Sequence, residues 1–454
     1  MKKLFGTDGM RGEAGSFPLD AATIETVGAS LARRLTEKLG RAPLVVIGRD
    51  TRESGAWLEQ ALVTGLTQAG AKSKSAGVIT TPGVAYLART LPADAGVVIS
   101  ASHNAYRDNG VKIFALSGRK LDEETERLIE SDVFAQREVI APQTRDPATL
   151  ETNAGDAADL QSRYAHYLAK EIGRDLSLRG IKLVLDCANG AASSIAPELF
   201  GRLGAIVTTI NNSPDGRNIN LGCGSLHTET LQAEVIKQRA NLGVAFDGDA
   251  DRALFVDANG RLVNGDGSLW ILARNLHARH ELNHDTVVAT VMSNIGLEIA
   301  FQSASIHLIR TDVGDKYVLE ELLKSGASLG GEQSGHIIFP RLSLAGDGLI
   351  TTLNMLRAMT EAGKELHELT AGFQAFPQIL VNVEVKVKRP FAEVAGIQNL
   401  ARDVERELGS EGRLLLRYSG TEPLARIMIE GKSQEEIEQY ADSLARVIQQ
   451  TLGA

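Results

Sequence analysis

Three aspartates occupy alternate positions in one short segment, which reads Asp-Gly-Asp-Ala-Asp-Arg from residue 247. A loop can turn alternate carboxylates toward one point, and carboxylate oxygens are preferred ligands of hard cations such as Mg²⁺. The spacing does not fit an EF-hand, because Arg252 and Ala258 stand where that loop needs glycine and glutamate. Asp247, Asp249 and Asp251 are therefore predicted to hold one Mg²⁺, with a solvated acidic turn as the alternative.

A second segment with chemical potential is Ala101–Asn104, followed by Asp108–Lys112. Ser102 lacks the Gly-x-Ser-x-Gly turn of the hydrolases, and in an extended segment its side chain and that of His103 would diverge. We therefore expect no acyl-transfer pair here. Phosphoryl transfer needs charge neutralisation more than a base, so a phosphorylated Ser102 beside a divalent cation is the chemical hypothesis. A simple Ser/Asn turn is the alternative.

Residues 331–336 read Gly-Glu-Gln-Ser-Gly-His after a predicted strand. Glu332, Ser334 and His336 alternate, so their side chains can face one side and hydrogen-bond sugar hydroxyls. A polar turn fits the same pattern equally well.

A further segment near the C-terminus, Arg-Tyr-Ser-Gly-Thr-Glu-Pro, is typical of an anion cradle. Backbone N–H groups at Ser419, Gly420 and Thr421 can surround a phosphate dianion. The guanidinium groups of Arg417 and Arg426 add charge and directed hydrogen bonds. A hairpin turn with a stacked arginine is the alternative.

Nucleotide cofactors and zinc are not indicated. Gly431–Ser433 resembles the end of a Walker loop, but Arg426 replaces its first glycine. Gly222–Gly224 begins a dinucleotide pattern, but His227 replaces the third glycine. The nine histidines show no zinc spacing.

The elements that must position these loops alternate along most of the chain. Short apolar runs such as Gly96–Ile99 predict strands buried on both faces, and Ser54 is predicted to cap the helix that follows it. The final segment predicts paired strands with helices on one side, the last helix being capped by Ser433. A polar stretch near residues 140–160 predicts a linker or an entry helix. We therefore predict three similar α/β domains at residues 1–150, 151–256 and 257–372, and an α+β domain at residues 373–454.

Composition excludes several classes of protein. The 454 residues carry 48 Lys plus Arg against 57 Asp plus Glu, a net charge of −9 without a basic stripe, so no nucleic-acid partner is expected. Cys187 and Cys223 are too few for a disulfide framework and suit a reducing compartment. No apolar run approaches the length of a membrane span. We expect a cytoplasmic protein, a monomer or homodimer, whose partner is a small molecule.

Together and in this order, the loops resemble those of the α-D-phosphohexomutase superfamily over essentially the whole chain. The motifs that carry the likeness are Gly6–Gly9, Ala101–Asn104, Asp247–Arg252, Gly331–His336 and Ser419–Pro423, and the segments similar to the glucosamine branch are Asp108–Lys112 and Val291–Asn294. One position departs: the superfamily motif usually reads Ser-His-Asn-Pro, and here Ala105 replaces the proline. Proline would fix φ and stiffen the loop, whereas every chemically active group is retained.

The resemblance implies a role for each loop and four domains around a central cleft. Ser102 would be the phosphoserine, and its phosphate would join the three aspartates as a Mg²⁺ ligand. Lys112 or His336 would act as acid or base, and Arg11 would assist at the phosphoserine. The hexosamine would be bound by Glu332, Ser334 and His336, and its non-reacting phosphate by Arg417, Ser419, Gly420, Thr421 and Arg426.

The activity implied by the resemblance is the reversible interconversion of glucosamine 6-phosphate and glucosamine 1-phosphate. It would run through a bisphosphorylated hexosamine, which also serves as activator, and would supply UDP-N-acetylglucosamine and peptidoglycan precursors. The alternatives are a mutase for glucose or mannose phosphates, a Mg²⁺-dependent sugar phosphatase, and a non-catalytic phosphosugar-binding regulator.

Overall fold

The computed structural model describes residues 4–6, 8–139, 154–419 and 423–453. The chain divides into two compact units, the first formed by residues 1–291 and 309–370 and the second by residues 292–308 and 371–454. The stretch near residues 140–160, predicted to be a linker or an entry helix, lies largely outside the described residues, and its described part, from residue 154, is helical. Among the helices of the described ranges, none has both the length and the apolar character needed to cross a bilayer.

The first sheet has six strands in the order β1-β2-β6-β5-β3-β4. Its strands are β1 (Phe5–Gly6), β2 (Gly9–Glu13), β3 (Leu44–Arg49), β4 (Lys72–Val78), β5 (Ala95–Ile99) and β6 (Asp108–Ala115). Its helices are α1 (Ala21–Leu39), α2 (Gly55–Gln68), α3 (Thr81–Thr90) and α4 (Glu123–Val139). Strand β3 pairs in parallel with β4 and β5, and β6 runs antiparallel to β5. Every residue of β5 is buried, which confirms the expectation of a sheet covered on both faces.

The helix predicted after Ser54 is present as α2, but the predicted cap is wrong. The φ and ψ of Ser54 are −72° and −16°, which are helical values, and its side chain makes no capping hydrogen bond. A capping residue needs extended backbone angles to aim its side-chain oxygen at the first N–H groups. The Ser54 hydroxyl instead accepts a hydrogen bond from Asn109 Nδ2 at 2.8 Å.

The second and third sheets repeat the mixed pattern. Their orders are β11-β10-β9-β7-β8 and β13-β12-β14-β15. The strands are β7 (Lys182–Asp186), β8 (Ile206–Ile210), β9 (Leu242–Phe246), β10 (Ala253–Asp257), β11 (Leu262–Val263), β12 (Thr286–Thr290), β13 (His307–Thr311), β14 (Leu329–Gly331) and β15 (Ile337–Ile338). The helices are α5 (Ala154–Tyr167), α6 (Ala192–Arg202), α7 (Glu229–Gln238), α8 (Gly265–Ala278), α9 (Ile295–Ser303), α10 (Asp315–Ser325), α11 (Gly348–Ala362) and α12 (Leu366–Leu369).

One connection recurs in all three sheets. A strand that pairs in parallel with a neighbour is followed by a loop and then by an antiparallel partner: β5 to β6, β9 to β10, and β14 to β15. The loops at these three places contain Ser102, the three aspartates, and Glu332 with His336. The three α/β parts therefore share one topology.

The C-terminal part of the second unit is an antiparallel sheet of order β16-β18-β17. Its elements are β16 (Gln378–Glu384), α13 (Ala395–Leu408), β17 (Arg413–Tyr418), β18 (Leu424–Glu430) and α14 (Gln434–Leu452). Buried Ile437, Ala441, Leu444 and Ile448 recur along one face of α14 and pack in the same core as Ile427. Ser433 caps α14 by accepting a hydrogen bond from the backbone N–H of Glu436, as predicted. This part is the expected α+β module.

Candidate active site

Ser102 lies in the loop between β5 and β6 and is 1% exposed. Its hydroxyl donates a hydrogen bond to Asp247 Oδ2 at 2.6 Å, and its backbone N–H donates to Ser100 Oγ at 2.9 Å. Its φ is 52°, in the left-handed region that residues other than glycine adopt at some energetic cost. Such strain persists where the surroundings enforce it, commonly at functional sites.

This backbone conformation corrects the expectation for His103. The prediction of diverging side chains assumed an extended segment, whereas left-handed Ser102 brings its Oγ to 3.2 Å from His103 Nδ1. Because the serine hydroxyl gives its one hydrogen to Asp247, the imidazole donates from Nδ1 in this arrangement. Burial, with the cations of Arg252 and Arg11 nearby, lowers the pKa of His103 to about 4. His103 is therefore neutral near pH 7, and in this arrangement its Nδ1–H donates to Ser102 Oγ instead of accepting the serine proton.

The three aspartates lie in the tight connection between β9 and β10, and all three are buried. One oxygen of each lies within 4.8 Å of the others. Asp249 Oδ1 and Asp251 Oδ1 are buried and have no hydrogen-bond partner among the described residues. Buried carboxylate oxygens without donors suit a hard cation, so these residues fit a Mg²⁺ ion.

The pKa shifts of the aspartates also favour a bound cation. Burial, reinforced by Asp251 and Asp249, raises the pKa of Asp247 well above its ordinary value. Burial alone would also raise the pKa of Asp251, but the cations of Lys112 and His336 lower it well below its usual range. Three close carboxylates oppose one another's ionisation, and a bound divalent cation would remove that opposition.

Lys112 is buried next to the aspartates, with 1% of its surface exposed. Its Nζ is 2.9 Å from Asp249 Oδ2, 3.1 Å from Asp8 Oδ2 and 3.5 Å from Asp251 Oδ2. Burial opposes its charge, but these carboxylates raise the pKa of Lys112 well above its ordinary value. The ammonium is thus firmly protonated.

Beside the cluster opens a cavity of about 480 Å³ within the first unit. A volume of this size accommodates a small ligand. Charged and polar side chains line much of it, among them Asp8, Arg11, His103, Asp251, Arg252, Asp315, Glu332 and His336. Arg11 pairs with Asp8 and donates to the Ala101 carbonyl at 3.4 Å, so it lies next to the serine loop.

His336 faces this cavity while almost fully buried. Its Nδ1 is 3.6 Å from Asp251 Oδ1, and its Nε2 is 3.9 Å from Asp315 Oδ2. Burial disfavours the charged ring, yet Asp251 and Asp315 raise the pKa of His336 to about 9. Nε2 also accepts a hydrogen bond from Gly346 N at 3.2 Å, which requires a neutral ring. The surroundings therefore offer partners to both protonation states.

Glu332 and Ser334 lie near His336 in the loop between β14 and β15. Glu332 lines the cavity and accepts hydrogen bonds from Gly314 N at 3.1 Å and from Ser334 Oγ at 3.3 Å. Ser334 orients Glu332 and does not line the cavity itself.

The predicted phosphate loop belongs to the second unit. Arg417 and Arg426 are direct cross-strand partners in β17 and β18, which places both on one face of the sheet. Ser419 is buried, and its carbonyl accepts a hydrogen bond from Lys388 Nζ at 2.5 Å. Gly420 and Thr421 lie outside the described residues.

Sequence reasoning missed several side chains of the site. Lys120 Nζ donates to Asp8 and to Asp315, both at 2.6 Å, and so joins two walls of the cavity. No local pattern marks Lys120 or Asp315, because their partners lie 112 and 195 residues away. Asp8 was visible inside a glycine-rich segment, but nothing nearby in sequence indicated its lysine partners.

Family models cover most of the chain. The descriptions are "Phosphoglucomutase/phosphomannomutase, alpha/beta/alpha domain I" for residues 2–139, domain II for residues 162–260, domain III for residues 264–376, and the C-terminal domain for residues 380–447.

Curated relatives match the chain from end to end. Phosphoglucosamine mutase of Solibacter usitatus (strain Ellin6076) is 49% identical over 452 residues, covering 100% of this chain and 99% of the relative. Phosphoglucosamine mutase of Koribacter versatilis (strain Ellin345) is 47% identical over 460 residues, covering 100% and 98%.

Solved structures show the same fold. A phosphoglucomutase/phosphomannomutase family protein from Burkholderia thailandensis superposes with a TM-score of 0.79 at 25% identity, over 98% of this chain and 97% of that one. N-acetylphosphoglucosamine mutase of Aspergillus fumigatus, in complex with GlcNAc-6P and magnesium, gives a TM-score of 0.66 at 19% identity, over 98% and 95%. With its three like-built α/β parts, its α+β module and the family models along its length, the chain belongs to the phosphoglucomutase/phosphomannomutase family of α-D-phosphohexomutases.

Proposed function

We propose that this chain interconverts glucosamine 6-phosphate and glucosamine 1-phosphate, as the names of its 45–49% identical relatives suggest. The observation that carries the chemistry is the contact of Ser102 Oγ with Asp247, a member of a buried carboxylate cluster beside a cavity. A hydroxyl at this place can carry a phosphoryl group next to a cation site. The proposal includes the division into four domains at residues 1–150, 151–256, 257–372 and 373–454.

The reaction needs two phosphoryl transfers in opposite directions. In the first, the bond between phosphorus and Ser102 Oγ breaks and a bond from phosphorus to sugar O1 forms. The O1 hydroxyl gives up its proton to the base of the site, and Ser102 Oγ takes up a proton and becomes a hydroxyl. The bisphosphorylated sugar then turns over in the site. In the second, the bond between phosphorus and O6 breaks and a bond from phosphorus to Ser102 Oγ forms. The Ser102 hydroxyl gives up its proton, and O6 takes up a proton and becomes a hydroxyl. The bisphosphate that escapes would also prime an unphosphorylated enzyme, which is its role as activator.

Asp247, Asp249 and Asp251, with the phosphate of Ser102, would hold the Mg²⁺. When bound, the ion would neutralise charge on the phosphoryl group in transit, which is a large contribution in such reactions. Arg11, whose guanidinium group reaches the Ala101 carbonyl and the cavity wall, would add positive charge on the protein side.

His336 is the better acid or base of the two candidates. It lines the cavity, and either of its protonation states has a partner. Lys112 is held by three carboxylates with a strongly raised pKa, so it does not readily release its proton. We assign to Lys112 the role of keeping the aspartates in place.

The sugar would be held by Glu332 and His336, with Ser334 orienting Glu332. The non-reacting phosphate would be held by the phosphate loop and its flanking cations: Arg417, Ser419, Gly420, Thr421 and Arg426. A grip on the remote phosphate supplies binding energy in either orientation of the bisphosphate. The two free, buried cysteines are consistent with a cytoplasmic enzyme, which we propose is a monomer or homodimer.

The test is a comparison of kcat/KM for glucosamine, glucose and mannose 6-phosphates, with Mg²⁺ present and then chelated. We expect the highest value with glucosamine 6-phosphate, because this ratio reports differential transition-state binding. We also expect loss of turnover on chelation. A preference for glucose or mannose phosphate would reassign the substrate, and release of inorganic phosphate without isomerised sugar would indicate a phosphatase instead.

A further inference from the structure

Arg52 is fully buried directly beneath the serine loop. Its Nη2 donates to the carbonyl oxygens of Ser102 at 3.0 Å and Asn104 at 2.9 Å. Its Nη1 donates to the carbonyl oxygens of Asp108 at 3.0 Å and Ala105. One guanidinium group thus binds four carbonyls between Ser102 and the start of β6, which the fixed fork of its N–H groups allows.

The remaining N–H of this guanidinium closes a ring of contacts back to the serine. Arg52 Nε donates to buried Asp50 Oδ2 at 2.9 Å, and the same carboxylate oxygen accepts from Ser100 Oγ at 2.7 Å. Ser100 Oγ in turn accepts from the backbone N–H of Ser102 at 2.9 Å. Both the N–H and the carbonyl of Ser102 are therefore fixed by groups that depend on Arg52 and Asp50.

A second donor to two of these carbonyls comes from the connection between β8 and β9. Asn220 Nδ2 donates to the carbonyl oxygens of Ser102 at 2.9 Å and Asn104 at 3.0 Å. The carbonyls of Ser102 and Asn104 accordingly each receive two hydrogen bonds, one from Arg52 and one from Asn220.

We propose that Arg52, assisted by Asn220, is a positioning residue. It holds the backbone of Ser102 in the left-handed conformation, in which Ser102 Oγ is hydrogen-bonded to Asp247. The loop needs such support because Ser102 has a φ of 52° and because alanine stands at position 105, where proline would restrict the backbone. The proposal rests on the proposed function, in which Ser102 carries the phosphoryl group.

The test compares Arg52→Lys with Arg49→Lys. Lysine keeps the positive charge opposite Asp50 but concentrates its donors on one nitrogen, so it cannot bind all four carbonyls. Arg49 serves as the control, because it is also an arginine in an ion pair, 3.0 Å from Glu59. Its side chain is only partly buried, and none of its described side-chain hydrogen bonds goes to the serine loop. We expect kcat of Arg52→Lys to fall roughly 10- to 100-fold with KM changed less than about twofold, since misplacing a reacting atom by about 1 Å costs this much. Arg49→Lys should keep the wild-type kcat.

Hydrogen–deuterium exchange supplies a readout that does not depend on the mutase reaction. In Arg52→Lys we expect faster exchange in the peptide covering residues 100–110 and unchanged exchange in β3 and α2, because only the loop loses its hydrogen bonds. Asn220→Gly, which preserves the left-handed backbone at that position, should give the same change in smaller measure. Adding Ala105→Pro to Arg52→Lys should recover part of the lost kcat.

Two results would overturn the proposal. One is unchanged exchange and unchanged kcat in Arg52→Lys. The other is faster exchange spread over β3 and α2 together with parallel changes in kcat and KM, which would make Arg52 a general support of the fold. If the wild-type protein fails to isomerise the sugar phosphate, the proposed function fails, and the exchange comparison still decides whether Arg52 holds the loop.

Discussion

Ser102 and Asp247 are 145 residues apart in the sequence, yet Ser102 Oγ donates a hydrogen bond to Asp247 Oδ2 at 2.6 Å. The contact joins equivalent loops of two like-built sheets, each at the step from a parallel strand to an antiparallel one. A group carried by Ser102 is therefore delivered at the carboxylate cluster. The same connection, present in both sheets, thus brings Ser102 to the aspartates that we propose hold the cation.

Replacing Asp247 by asparagine should lower kcat by about 10²- to 10³-fold. The proposed cation site would lose one of its three carboxylate charges, and Ser102 would lose its charged partner. The measurement is steady-state kinetics with a Mg²⁺ titration by calorimetry, which should show weakened ion binding. Asp257→Asn is the control, because Asp257 is a buried aspartate on the same hairpin that accepts hydrogen bonds from Asn259 N and Arg261 N. Wild-type kcat and Mg²⁺ affinity in Asp247→Asn would exclude its role as a ligand.

Gly346 permits the placement of His336. A Cβ at position 346 would lie 2.4–2.5 Å from three ring atoms of His336. Gly346→Ala should therefore displace the ring, lower kcat at least about tenfold and cost roughly 1–3 kcal/mol of stability, as overpacking generally does. Gly201→Ala is the matched control, because a Cβ at that helical position meets open space. If Gly346→Ala turns over at the wild-type rate, the ring position does not matter for the reaction.

The residues that could do chemistry were easier to predict from the sequence than the distant contacts that fix their conformation. The alternation of Asp247, Asp249 and Asp251 is a local pattern, and a local turn is enough to gather them. The direction of His103 is not local, because it depends on a left-handed Ser102 that distant groups enforce. The capping role predicted for Ser54 failed because its backbone is helical, and its hydroxyl accepts instead from Asn109, 55 residues away.

The fold shows the same division. Short apolar runs that alternate with helical segments predicted the strands and the three α/β parts. A strand buried on both faces is apolar at every position, so such runs are visible in the sequence. Contacts such as that of Arg52 with four carbonyls could not be predicted, since a buried arginine in sequence looks like any surface arginine.

Asp347 should make stability depend on pH. It caps α11, and Tyr164 donates a hydrogen bond to its Oδ2 at 2.7 Å. Burial, partly offset by hydrogen bonds from Ile350 N and Tyr164, raises the pKa of Asp347 to about 6. A carboxyl whose pKa is raised on folding favours the folded state while protonated, so this contribution is present below about pH 4 and is lost as the pH rises through about 6.

The measurement is the free energy of unfolding of wild type and Asp347→Asn at about pH 5 and pH 7. Asparagine keeps the cap, so the variant removes only the titration. We expect the wild type to lose about 1 kcal/mol more than the variant between these values. Parallel behaviour of the two proteins would show that Asp347 does not titrate in this range.

The most direct test of the central claim follows the phosphoryl group itself. Enzyme phosphorylated on Ser102 is mixed with glucosamine 6-phosphate in a single turnover with Mg²⁺, and protein and sugar are analysed by mass spectrometry. We predict that the phosphoryl group leaves Ser102 as the bisphosphorylated sugar forms, that it returns as glucosamine 1-phosphate appears, and that Ser102→Ala does neither. Isomerisation by Ser102→Ala at the wild-type rate, or a phosphoryl group that stays on Ser102 throughout turnover, would contradict the account.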